Sequence, residues 1–196
     1  MFFVSFLVEI FVVSSTREAS AQDRFEAAAQ FTFAHSSEFG STDAGIGARL
    51  SWQATEAVGA DAEIDVYPGN FPERSAVSRK RVEGLFGLTA GLRLGRARPF
   101  VKLRPGFVTF RGQPVVCILI FPPPLSCELA AGRSVFALDL GGGVDLFTGG
   151  RGVVRIDAGD RMLKYPGPSF RGGGRTAQDA FFSHDLRVSV GAGVRF

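Results

Sequence analysis

The chain of 196 residues is 45% hydrophobic and carries a net charge of only +3, with acidic and basic residues interleaved along its length. That balance argues against a nucleic-acid-binding surface, and two cysteines with two histidines are too few for a zinc site. Twenty-five glycines disfavour a helical bundle, since each weakens a helix by about 1 kcal/mol, and suit a β-protein with tight turns and crowded strands.

Residues 1–21 read as a secretory signal peptide. A Phe/Val-rich stretch is followed by Ser14-Ser15-Thr16 and then by Ala19-Ser20-Ala21, the A-x-A pattern of a cleavage site. Glu9 interrupts the apolar stretch and no Lys or Arg precedes it, which fits a displaced translation start. Residues 22–196 then form one exported domain. Export to an oxidising compartment would allow Cys117 and Cys127 to close a small loop as a disulfide; a reduced pair is the alternative.

Eight segments with a period of two follow in chain order, and each predicts a strand with one apolar and one polar face. The first, 25–34, sets Phe25, Ala27, Ala29, Phe31 and Phe33 against Glu26, Gln30 and Thr32. The second, 45–53, opposes Ile46, Leu50 and Trp52 to Arg49, and the third, 58–67, opposes Ile64 and Val66 to Asp61, Glu63 and Asp65. In 82–94, Phe86, Leu88, Leu92 and Leu94 stand opposite Glu83 and Arg93. In 100–110, Val101, Leu103 and Phe107 oppose Lys102 and Arg104, and Pro105-Gly106 predicts a bulge. Segment 135–146 carries Asp139 and Asp145 on its polar face, and 153–162 carries Arg155, Asp157 and Arg161. The last, 186–196, places apolar residues at every even position through Val194 and Phe196, with Arg187 and Arg195 between them.

Two regularities go beyond single strands. The apolar face reads as free of charge in all eight segments, as lipid requires, because Arg or Lys at the bilayer midplane costs about 2–4 kcal/mol. Long and short connections also alternate. Links at about residues 35–44, 68–81, 111–134 and 163–181 are long and rich in Gly, Pro and Ser, while the other three are short. Short periplasmic turns alternating with long external loops are the asymmetry of an outer-membrane barrel. The expected fold is all-β, an eight-stranded antiparallel up-and-down transmembrane β-barrel.

The terminal Val194-Arg195-Phe196, with Ala97-Arg98-Pro99-Phe100 and Leu140-Gly141-Gly142-Gly143-Val144, resembles small eight-stranded outer-membrane barrels of the OmpA transmembrane-domain and OmpX type, the porin-like family. The resemblance covers residues 25–196. It implies a bacterial outer-membrane location, a monomer in contact with outer-membrane lipid and lipopolysaccharide, and insertion by the barrel assembly machinery, for which Val194 and Phe196 would be the signal. It implies no cofactor and fixes no activity, because the fold hosts several functions.

An eight-stranded barrel is only wide enough for its own side chains. Glu26, Asp61, Glu63, Asp65, Glu83, Asp139, Asp145, Asp157 and Asp185 face Arg49, Arg93, Lys102, Arg104, Arg155, Arg161, Arg187 and Arg195 across that lumen, and should neutralise one another. This reading disfavours a wide pore and leaves a narrow porin-like channel as an alternative. A lipid A-modifying hydrolase built on His35, Ser37 and Glu38, or on His184, is the enzymatic alternative, since Ser, His and a carboxylate are the groups of nucleophilic catalysis. A soluble lipocalin-like barrel is the third, with its faces inverted. The expected reading is non-catalytic, with the long loops, above all the one holding Ile118-Leu119-Ile120-Phe121, meeting an unknown surface ligand or folding over the barrel mouth.

Overall fold

Alternation of apolar and polar residues lets each strand present one face to a wet, charged interior and the other to hydrocarbon. The computed structural model describes residues 24–69, 80–112, 125–148, 150–167 and 180–196. Its strands are β1 (Phe25–Ser36), β2 (Ser41–Gln53), β3 (Val58–Tyr67), β4 (Arg81–Gly91), β5 (Ala97–Phe110), β6 (Ser134–Phe147), β7 (Gly152–Tyr165) and β8 (Phe181–Arg195). A short helix α1 (Leu125–Ala130) precedes β6. Every neighbouring pair is antiparallel, and β8 returns to β1, so the sheet is a closed barrel without an edge. The signal-peptide segment and residues 118–121 lie outside the described residues.

Pairing fixes the tilt. One circuit of directly opposed residues runs from Phe25 to Trp52, Ala60, Leu88, Leu103, Leu140, Asp160 and Leu186, and rejoins β1 at His35. It has climbed ten positions, the difference between Phe25 and His35, which for eight strands corresponds to a tilt of roughly 40°. At about 3.3 Å per residue along strands tilted by that angle, the climb rises roughly 25 Å along the barrel axis, the height of an outer-membrane apolar band. Leu103 stands halfway along it.

The outside of the barrel is apolar and open. Phe31, Phe86 and Val101 are each at least 60% exposed, whereas Arg104, Arg161 and Arg187 are fully buried inside. At the base, the rings of Phe25 and Phe196 stack 6.2 Å apart, and the two residues exchange backbone hydrogen bonds of 3.1 and 2.9 Å.

Several sequence expectations are corrected. The first link is short: β1 and β2 run on to Ser36 and Ser41, joined by a four-residue turn at 37–40 in which Gly40 takes φ 60°. Both faces become polar where the strands leave the apolar band, so alternation of hydropathy fades before the hydrogen bonds do. β8 likewise begins at Phe181. There is no bulge at Pro105-Gly106: the register of β5 with β6 continues unbroken through both residues. On the other side, pairing with β4 lapses between Leu85↔Gly106 and Leu88↔Leu103 without changing register, because Pro105 has no N–H to donate. The outer face is not charge-free either. Asp160, Lys164 and His184 point outward near the extracellular end, where His184 Nδ1 lies 2.7 Å from Asp160 Oδ2. They stand high on the staggered circuit, at or above the upper part of the band.

Candidate functional site: a charged lumen closed at its outer end

Alternate positions of every strand send their side chains into a lumen too narrow for bulk water. All nine acids expected there are buried, as are Arg49, Lys102, Arg104, Arg155, Arg161 and Arg187. Ten of the lumen's charged groups form a single line of alternating sign. Arg98 contacts Asp145 at 3.2 Å; Asp145 also holds Arg155, which reaches Asp61 at 3.1 Å. Asp61 meets Arg104 at 3.2 Å, and Arg104 meets Glu63 at 2.7 Å. Glu63 contacts Arg187 at 2.6 Å, Arg187 contacts Glu83 at 2.9 Å, Glu83 pairs with Arg161, and Arg161 ends on Asp185 at 2.8 Å.

Side branches complete the lattice. Arg49 holds Glu26 at 2.9 Å, and Lys102 holds Asp139 at 2.8 Å while also pairing with Asp157. Asp65 accepts from Arg187 at 2.8 Å and from Gln30 Nε2 and Thr32 Oγ1 at 2.9 Å each. A buried charge is tolerated only when paired and hydrogen-bonded, and sharing carboxylates such as Asp61, Glu63, Glu83 and Asp145 between two cations meets that demand with few groups. Space for this comes from glycine: a Cβ at Gly47 would sit 2.1 Å from Asp65 Oδ1.

Glu63, Asp65 and Glu83 bring one carboxylate oxygen each within 4.8 Å of the others, the spacing of a possible metal site. Arg187 reaches all three at 2.6, 2.8 and 2.9 Å, so the cation at that point is a guanidinium.

The outer end of the lumen is apolar. Leu125 and Leu129 of α1 are fully buried against Leu85, Val108, Phe110, Val135, Leu163 and Tyr165, with Phe39 and Phe181 packed alongside. The Tyr165 ring lies 6.0 Å from Phe39 and 5.7 Å from Phe181. Helix α1 is therefore a stopper in the extracellular mouth. Its signal in the sequence is the spacing of Leu125 and Leu129, one helical turn apart beyond a proline run.

Two residues expected in the lumen lie elsewhere. Arg93 is exposed in the β4–β5 turn, and Arg195 sits at the rim; each holds its guanidinium 4.5 Å from the centre of the Phe147 ring. In their place Arg81, Arg98 and Asp43 are buried, the first and last paired at 3.3 Å. The enzymatic constellation is not assembled. His35 faces outward and shares a 2.9 Å hydrogen bond with Thr42, Ser37 Oγ lies 3.4 Å from Ser183 Oγ, and His184 pairs with Asp160 on the outer wall. Cys117 and the side chain of Cys127 lie outside the described residues.

An interior lattice of paired charges, wrapped in an exposed apolar band of bilayer height, defines a transmembrane β-barrel of the outer-membrane type. Solved structures agree on the fold. The chain is similar to the N-terminal β-barrel domain of Pseudomonas aeruginosa OprF, with a TM-score of 0.56 and 8% identity over 89% of this chain and 100% of that one. It is similar also to Neisserial surface protein A, with a TM-score of 0.55 and 13% identity over 88% of this chain and 97% of that one. No protein-family model and no curated protein matches the sequence.

Proposed function

We propose that this protein is a non-catalytic barrel of the bacterial outer membrane, exported through the signal peptide at residues 1–21 and serving a structural or surface-interaction role. The line of ten alternating charges supports this reading most directly, because its groups are buried in the lumen and every one of them has a partner of opposite sign. The α1 stopper adds a second barrier. Outer-membrane lipid and lipopolysaccharide are the partners that its apolar wall fits, the barrel assembly machinery is the route by which β8 would be inserted, and surface ligands would meet the extracellular loops.

Fractionation of Gram-negative cells expressing the full chain tests the location. The protein is expected with the outer membrane, and its gel mobility should shift on boiling as the barrel unfolds. Recovery in the soluble periplasm without a shift would overturn the proposal.

Planar-bilayer recording tests the plug. The wild-type barrel should show no steady conductance. Leu125→Ala with Leu129→Ala should loosen the stopper at a cost of about 2–5 kcal/mol per leucine in barrel stability, read by urea unfolding, while the charge lattice keeps the barrel closed to ions. A wild-type conductance like that of a diffusion pore would defeat the plugged reading.

A further inference from the structure

The outer mouth is filled, but the inner mouth is open. A cavity of about 380 Å³ lies at the end where the short turns meet the chain termini, and Arg24, Glu56, Arg93, Phe147 and Arg195 are in its wall. Arg98 and Glu26 also border it, but Asp145 and Arg49 neutralise them. Arg93 and Arg195 are different. Both lean on the Phe147 ring at 4.5 Å, and among the described residues Arg24, Arg93 and Arg195 are in salt bridges with no carboxylate. Arg195 Nη2 donates to the Gly150 carbonyl at 3.4 Å, which leaves the rest of its fork free.

Gathering three like charges around one cavity with no counter-ion between them costs repulsion; in the lattice above, the three carboxylates Glu63, Asp65 and Glu83 are bridged by Arg187. The one exposed acid in the wall, Glu56, offsets a single charge and leaves an excess of about two. We propose that the inner mouth is a binding site for a phosphate monoester, held by Arg24, Arg93 and Arg195. Such a group carries about −1.5 to −2 charges at neutral pH and matches that excess. Guanidinium forks grip phosphate oxygens in pairs, and stacking on Phe147 restrains two of the forks before the anion arrives. The phosphate could come from the headgroup of a lipid such as phosphatidic acid in the inner leaflet or from a soluble periplasmic monoester; the recognising chemistry is the same. Only the compartment named for this mouth rests on the outer-membrane reading.

The test uses the full chain refolded in octyl glucoside, with boiling-dependent mobility as the check of folding. Calorimetric titration with glycerol 1-phosphate at low salt should show one saturable site. Arg93→Gln with Arg195→Gln should weaken binding about 100-fold, roughly tenfold for each lost charge-assisted contact, while Lys164→Gln at the opposite end leaves it unchanged. Repeating the titration in nanodiscs separates the sources. If lipid is the occupant, phosphatidic acid discs abolish the signal by competition and phosphatidylcholine discs retain it; a soluble occupant gives equal binding in both. No saturable binding by the folded wild type, or equal binding by the doubly substituted barrel, would overturn the site, whatever the cell fractionation shows.

Discussion

Arg187→Met is expected to destabilise the barrel by about 3–5 kcal/mol, the cost of removing one partner from a buried ionic cluster. Arg187 is fully buried and, among the described residues, is the only cation in direct contact with both Glu63 and Asp65 while also touching Glu83. Without it, three carboxylates face one another in a dry lumen. Urea unfolding in micelles, followed by tryptophan fluorescence from Trp52, measures the loss. A double-mutant cycle with Asp65→Asn should recover part of it, because Arg187 is the one cation that Asp65 meets among the described residues, and removing the orphaned charge relieves the repulsion. A change under about 1 kcal/mol in the single variant would mean that water reaches the cluster and the lumen is not sealed.

Leu103→Arg is expected to cost about 2–4 kcal/mol when the barrel folds in a bilayer, the penalty for arginine on a lipid face at the midplane. The position follows from the register: Leu103 stands midway along the circuit from Phe25 to His35, and it is 47% exposed on the outer wall. The same substitution at Lys164, close to the extracellular end of that wall, should cost almost nothing. Folding into lipid vesicles at graded urea, read as the fraction of the fast-migrating form, distinguishes the two. Were the outer wall wetted by solvent, Leu103→Arg would be neutral, so equal behaviour at the two positions would rule out a membrane barrel.

Much of the fold is legible in the sequence because lipid and lumen impose opposite chemistry on successive residues. Phe31 and Gln30, or Leu103 and Arg104, announce their faces without any structure. Legibility ends where that contrast ends. Beyond Ala34 both faces are polar, and before Leu186 the outward His184 interrupts the apolar alternation, so the strands read short, although their hydrogen bonds continue to Ser36 and back to Phe181. Asp160 lies on the apolar face in the upper part of the band, beside His184, and composition alone cannot report height; the stagger of the strands does. Arg98, Arg81 and Asp43 escape notice for a related reason, as each falls in or beside a stretch that reads as a turn or loop. Arg93 and Arg195 mislead in the opposite sense: their parity is that of the lumen, but β4 has ended before Arg93, and Arg195 is the last residue of β8. The spacing of Leu125 and Leu129 hints at a helical turn, but its place as a stopper depends on contacts with strands far away in sequence, such as Leu85 and Leu163, which no local pattern encodes.

The position of Arg187 on β8 has a mechanical consequence. β8 meets β1 along the one junction that joins the two ends of the sheet, and a barrel can be unzipped there without breaking any turn. Peeling β8 outward would have to drag Arg187 away from Glu63 and Asp65 on β3 and Glu83 on β4, while Asp185 parts from the amide of Ser37. The bolt therefore runs through the hollow of the hoop rather than along its seam, and sideways opening of the wall is resisted by strands that do not touch the seam at all.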